Sequence, residues 1–121
     1  MTEIPPELAA VGPIERTATH LQAFLFSAAT WNPHRIHYDR DYARDVDGYP
    51  GLVTHGPLQA LAMAEAVRRT GKTPTAIDYR FVAPLFDHQG LVASSTGSGP
   101  LREVSIRDHG GRVTANGRVR V

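Results

Sequence analysis

The sequence predicts an α+β fold in which an antiparallel sheet of about five strands wraps one long central helix, and three observations carry that expectation. Residues 52–70 follow a helical period and are rich in alanine. Everything after Gly71 alternates with period two between turn signals. A chain of 121 residues supplies one domain's core and no second one.

Taken in order, residues 1–12 contain Pro5, Pro6 and Gly12 and read as an irregular lead-in to a single domain covering 1–121, with a first strand at about 12–18. Thr19 stands as an N-cap before HLQAFLFSAA at 20–29, where Leu21, Phe24, Leu25 and Ala28 at helical spacing predict a short helix packing that face on the core. Residues 30–51 are polar and rich in chemistry, with Asp39 placed to cap a short helix, DRDYARDV. In the following helix Leu58, Leu61, Ala62, Glu65 and Ala66 keep the period. Ala60, Ala62, Ala64 and Ala66 cover several sides, so this helix is expected to be buried nearly all round, and Gly71 stops it. Four strands complete the domain: TAIDYRFVAPLF, GLVASSTGS, LREVSIRDH and RVTANGRVRV. Turn signals at 87–90, 97–100 and Gly110-Gly111 suggest a four-stranded meander, with a slip near Asn116-Gly117 as a bulge.

Thirteen basic residues face twelve acidic ones, a net charge of +1, which argues against a nucleic-acid partner held by bulk charge. Without cysteine there is no disulfide, no thiolate nucleophile and no Cys-ligated metal. No segment approaches the ~20 apolar residues of a membrane span, and residues 1–13 lack the basic and apolar runs of a signal peptide. A cytoplasmic protein with no membrane partner is the expectation.

Asn32, His34, Arg35, His37, Tyr38 and Asp39 crowd titratable and polar groups beside Trp31 and Pro33. Taken alone, they fit a solvated Asn-Pro turn equally well. THGPLQA at 54–60 puts Gly56 at the start of the central helix, where free N–H groups and the helix dipole suit a carbonyl oxygen or oxyanion. Pro57 at the first helical position, with Gly56 allowing a tight entry, accounts for the same residues. His55 reads equally as a satisfied, partly buried histidine. A metal site from His34, His37 and Asp39 lacks a fixed helical or strand context, and no metal is expected.

Together, NPHRIHYD at 32–39, Ala43, GLVTHGPLQA at 51–60, Tyr79-Arg80 and Pro84-Leu85-Phe86 resemble the MaoC-like hot-dog proteins, in particular the hydroxyacyl-thioester dehydratase type 2 branch with its mesaconyl-CoA hydratase-like members. The resemblance covers about 30–86. It implies a hot-dog fold, two hot dogs paired around interfacial sites, and interconversion of enoyl-thioesters and 3-hydroxyacyl-thioesters. It further implies His37 as acid and base, Asn32 orienting water or substrate, and His34 orienting His37 or carrying a second proton. Gly56 becomes an oxyanion donor through its N–H, with His55 and Arg35 near the substrate. No cofactor is implied beyond the acyl-CoA or acyl carrier protein thioester itself. The expected partner is a second copy, as a homodimer or larger assembly, or a separate hot-dog subunit.

One departure stands out. The (R)-specific enoyl-CoA hydratases carry Asp-x-Asn-Pro-x-His; with its histidine at His37, Asn32 falls where the aspartate would be, and aligning Asn-Pro on Asn32-Pro33 instead needs inserted residues and puts Thr30 there. Either way the carboxylate is missing. Two alternatives therefore stay open: a hot-dog thioesterase using a carboxylate on the central helix, where Glu65 is the one acid, and a non-catalytic or half-site subunit. For the pantetheine and nucleotide of a coenzyme A, Arg35, Arg40, Arg44, Arg68, Arg69 and Lys72 are available cations.

Overall fold

The computed structural model describes residues 14–16 and 20–121. Its elements are β1 (Ile14–Arg16), α1 (His20–Ala29), a 3-10 turn (Arg35–His37), α2 (Arg40–Asp45), α3 (Gly56–Arg68), β2 (Ala76–Phe81), a second 3-10 turn (Asp87–Gln89), β3 (Leu91–Thr96), β4 (Leu101–Arg107) and β5 (Val113–Arg120). The lead-in at 1–12, the Thr19 cap and the side chain of Leu21 lie outside the described residues.

The five strands form one antiparallel sheet in the order β1-β3-β4-β5-β2. The expected meander therefore holds only for β3, β4 and β5. β2 crosses to the far edge and pairs with β5, from Ala76 opposite Arg120 to Phe81 opposite Ala115. Sequence adjacency misled here because α3 packs on the sheet between β1 and β2 in the chain, and β1 already fills the β3 edge, leaving the β5 edge for β2.

Helix α3 lies on that sheet. Met63, Ala66 and Val67 pack with Leu85, Leu91, Ala93, Val104, Ile106, Ala115 and Val119 into the core. Of the expected Leu58, Leu61, Ala62, Glu65 and Ala66 only Ala66 is on the fully buried face, which Gln59, Met63 and Val67 complete. Leu61 is 60% exposed, so the helix is open along one side within the single chain. The one polar member of its inner face is satisfied: Gln59 Nε2 donates to the Thr54 carbonyl, and its Oε1 accepts from Thr114 Oγ1 at 3.1 Å. Thr114 sits at the sheet's irregularity, because the register between β4 and β5 shifts at Ile106/Arg107. The slip expected at Asn116-Gly117 is absent, and both residues pair in register on each side. Gly117 is required there for a different reason: a Cβ would run into the Asp78 carbonyl and Tyr79 of β2.

Helix α1 also reverses an expectation. Ala23 and Ser27 are buried, whereas Phe24 and Leu25 are 51% and 54% exposed and Ala28 is exposed too. The small residues Ala23 and Ser27 let this helix lie close to the site, while Phe24 and Leu25 face outward and Phe26 packs inward on His55. Asp39 caps α2 as expected, its Oδ1 accepting from the Tyr42 N–H at 3.1 Å. No helix among the described residues is long and apolar enough to cross a membrane.

Candidate active site

The chain leaves α1 through a left-handed Trp31 (φ 54°), with the Asn32 N–H bonded to Ser27 O at 2.9 Å. Asn32 Oδ1 then accepts from the His34 N–H at 3.1 Å, a side-chain turn of the kind Asn-Pro sequences favour. Tyr38 donates its hydroxyl to Pro33 O at 3.0 Å and closes the loop on itself. This frame presents His37 at the end of the first 3-10 turn.

Residues 51–55 run alongside. The Val53 N–H bonds to Ile36 O at 2.9 Å, and His37 Nδ1 lies 2.6 Å from Val53 O. A carbonyl only accepts, so Nδ1 carries the proton and, in the neutral ring, Nε2 keeps its lone pair. Burial pushes the His37 pKa down, partly offset by the Val53 carbonyl, with His34 adding a small downward push. The His34 ring centre is 5.9 Å away.

His55, the residue before α3, is 1% exposed and stacks on His37 with ring centres 4.1 Å apart and 20° between planes. Phe26 packs on it at 4.7 Å, and Ser27 Oγ shares a 2.6 Å hydrogen bond with its Nε2. Its buried Nδ1 has no partner among the described residues. Burial first, and the neighbouring His37 second, lower its pKa to about 4, so His55 is neutral at physiological pH.

Gly56 begins α3 immediately after this stacked pair, with Pro57 in the first turn, and its N–H lies at the positive end of the helix. A Cβ on Gly56 would stand 2.7 Å from the Phe81 ring of β2, so close packing requires glycine at this position. Beside Ser27 and Asn32 opens a largely apolar cleft of about 390 Å³, lined also by Phe24, Ala28, Trp31 and Tyr38.

The structure thus brings His37, His34, His55 and Gly56 together, with Asn32 on the cleft wall. Arg35 turns elsewhere: it pairs with Asp39 at 2.8 Å and lies 4.1 Å over the Tyr42 ring. The other arginines offered for a nucleotide are also engaged, Arg40 with Asp87, Arg44 with Asp41 and Asp45, and Arg68 and Arg69 with Glu65. Among the described residues no three His, Asp or Glu side chains gather as metal ligands. Sequence reasoning missed Ser27, the Val53 carbonyl and Asp87, whose Oδ1 accepts from the Leu52 N–H at 3.0 Å. Serine inside an alanine-rich helix and aspartate inside a turn signal carry no local mark of such roles.

Residues 4–87 match the family described as hydroxyacyl-thioester dehydratase type 2. The chain is 54% identical over 65 residues to the mesaconyl-C(4)-CoA hydratase of Chloroflexus aurantiacus, covering 53% of this chain and 23% of that protein. It is 34% identical over 79 residues to the mitochondrial hydroxyacyl-thioester dehydratase type 2 of Schizosaccharomyces pombe, covering 62% and 26%. The chain spans about a quarter of the length of these curated relatives. Among solved structures it superposes on the R-hydratase PhaJ1 from Pseudomonas aeruginosa with a TM-score of 0.77 at 18% identity, over 97% of this chain and 83% of that one. The (R)-hydratase from A. caviae gives 0.73 at 15%, over 88% and 89%. The ChsH1-ChsH2 complex from Mycobacterium tuberculosis gives 0.58 at 18%, over 90% and 92%. At these identities the solved structures show the fold, which is the hot dog.

Proposed function

The chain belongs to the hydroxyacyl-thioester dehydratase type 2 family, and from that premise we propose that it hydrates enoyl-thioesters and dehydrates 3-hydroxyacyl-thioesters, with His37 as the proton carrier. The observation that carries the reading is the 2.6 Å contact of His37 Nδ1 with Val53 O, which leaves Nε2 as the basic atom. In the hydration direction Nε2 takes a proton from water as the water oxygen bonds to the β-carbon. The π electrons move onto the thioester oxygen as an enolate. The imidazolium then returns its proton to the α-carbon, which reforms the thioester carbonyl and the neutral ring. Gly56, through its N–H, receives the enolate charge. Asn32 orients the water or substrate, His34 orients His37, and His55 supports the ring by stacking. A proton carrier depressed below its ordinary value by burial is still neutral, and so competent as a base, at pH 7.

The missing carboxylate does not empty the mechanism, since the Val53 carbonyl orients His37 and leaves its Nε2 free to carry the proton. Glu65, the residue a thioesterase reading would need, is engaged with Arg68 and Arg69 and held below the usual carboxylate range by them. That favours the hydratase. Pairing with a second hot dog, a copy or a separate subunit, is supported by the open side of α3 at Leu61 and by Tyr79, Phe81 and Val82, exposed at the β2 edge of the sheet. The test is an ultraviolet assay of the purified chain with crotonyl-CoA and mesaconyl-CoA, following the conjugated thioester and free thiol. Loss of conjugation without thiol release is expected; thiol release would make it a thioesterase, and silence across both would leave the half-site subunit.

A further inference from the structure

We propose that the Arg40–Asp87 ion pair positions His37, by clamping the 51–55 segment whose Val53 carbonyl fixes the proton on the ring. The proposal rests on the reading of His37 as proton carrier. Asp87 is 6% exposed and sits in the second 3-10 turn, far along the chain from the histidine. Its two oxygens go to two different bodies. Oδ2 receives Arg40 Nη2, from the first residue of α2, three positions after His37. Oδ1 receives the Leu52 N–H, and the Asp87 N–H returns to Leu52 O at 2.9 Å.

One carboxylate therefore ties the stretch that carries the imidazole to the strand segment that carries its acceptor, one residue before Val53. The packing leaves this segment little freedom to drift: a Cβ on Gly51 would lie 2.7 Å from Asp87 Oδ1 and from His88 Nδ1. On the other side the segment is held by Val53 N–H to Ile36 O at 2.9 Å, while Thr54 N–H to Leu85 O at 2.7 Å continues the pairing with the stretch that carries Asp87. The carboxylate adds a side-chain tie from this segment to Arg40 at the start of α2. The His37 Nδ1–H bond to Val53 O holds only while that carbonyl stays in line with the N–H, because hydrogen bonds weaken steeply as the angle at the hydrogen closes. The titratable groups facing His37 are His34 on its own turn and His55 from the start of α3; the Val53 carbonyl is the contact that favours both the Nδ1–H form and the charged ring.

The experiment follows the imidazole signals of the isotopically labelled full chain by nuclear magnetic resonance, without substrate. In the wild type His37 is expected as the Nδ1–H form. Arg40→Met should give a mixture of the two neutral forms and lower the His37 pKa further, as the Val53 carbonyl contact that favours the charged ring is loosened. Arg40→Lys should restore the wild-type signals. Raising salt to about 1 M on the unmutated protein screens the half-exposed Arg40 side and should move the ring in the same direction as Arg40→Met, so the answer does not depend on any variant folding. His37 signals unchanged by both Arg40→Met and salt would overturn the clamp. Normal hydration with an unmoved ring sinks the clamp alone; a ring that responds in a protein that never hydrates enoyl-CoA sinks the hydratase reading alone.

Discussion

Removing the charge-sensitive ring of His55 while keeping its hydrogen bond should flatten the acid limb of the protein's stability. The folded chain holds His55 at a pKa of about 4 against 6.5 for the free side chain, so the unfolded chain binds the proton more readily. Stability from this group is intact above pH 6.5 and drains away as the pH falls, until both states are charged below about 4. The gap of about 2.5 pH units at about 1.36 kcal/mol each amounts to roughly 3 kcal/mol, of which about 2 kcal/mol is lost between pH 7 and pH 5. Burial at 1% exposure and an unpartnered Nδ1, which offers no acceptor to an incoming proton, give that figure its physical basis. His37 shifts in the same direction and adds to the loss. In His55→Gln the amide nitrogen can take over the bond to Ser27 Oγ, and nothing titrates there. Urea unfolding of both proteins at pH 7 and pH 5 reads the difference directly. The wild type should lose about 2 kcal/mol more than the variant over that interval; parallel losses, within about 0.5 kcal/mol, would refute the neutral, buried His55.

His37→Ala should lower hydration by about 10²-fold or more while the circular dichroism spectrum and unfolding midpoint stay near wild type, and near-normal turnover would remove the residue from the mechanism. Asn32→Asp should keep or raise activity if this position tolerates the carboxylate seen in related hydratases, and complete loss would assign the amide its own role, seen in the same assay. Gly56→Ala should cost about 1–3 kcal/mol, because the new methyl meets the Phe81 ring, and Gly56→Ala/Phe81→Ala should recover most of that in thermal unfolding. Sedimentation of the purified chain should show a dimer or larger species that Phe81→Lys weakens; an active monomer would contradict a site completed by pairing.

The fold class was legible because period-two alternation after Gly71 and the His-Gly-Pro entry to α3 are local signals. What failed was direction. Phe24 and Leu25 have the spacing of a core face, yet the neighbours of α1 are the site and open solvent, so Ala23 and Ser27 turned inward. The chemistry-bearing histidines were visible in two short motifs, whereas their stacking and the partners that orient them were not. Ser27 meets His55 across 28 positions, and Asp87 meets Arg40 across 47, distances over which no periodicity speaks. The charge of Arg35 is visible in the sequence, whereas its pairing with Asp39 and its place over the Tyr42 ring are visible only in three dimensions.

The sheet order also governs how the chain acquires its structure. β2 is made early but has to wait for β5, since Ala76 pairs with Arg120 at the far end of the sequence. Emerging from the ribosome N-terminus first, the chain exposes the inner face of α3 and a bare β2 until the last strand arrives. Such long-range closure slows folding relative to a simple meander and lengthens the interval in which apolar strands can associate wrongly. The eight-residue β5 therefore acts as the latch of the described sheet, holding β4 on one side and β2 on the other, and a proline placed within it should harm folding yield more than one placed in an edge strand.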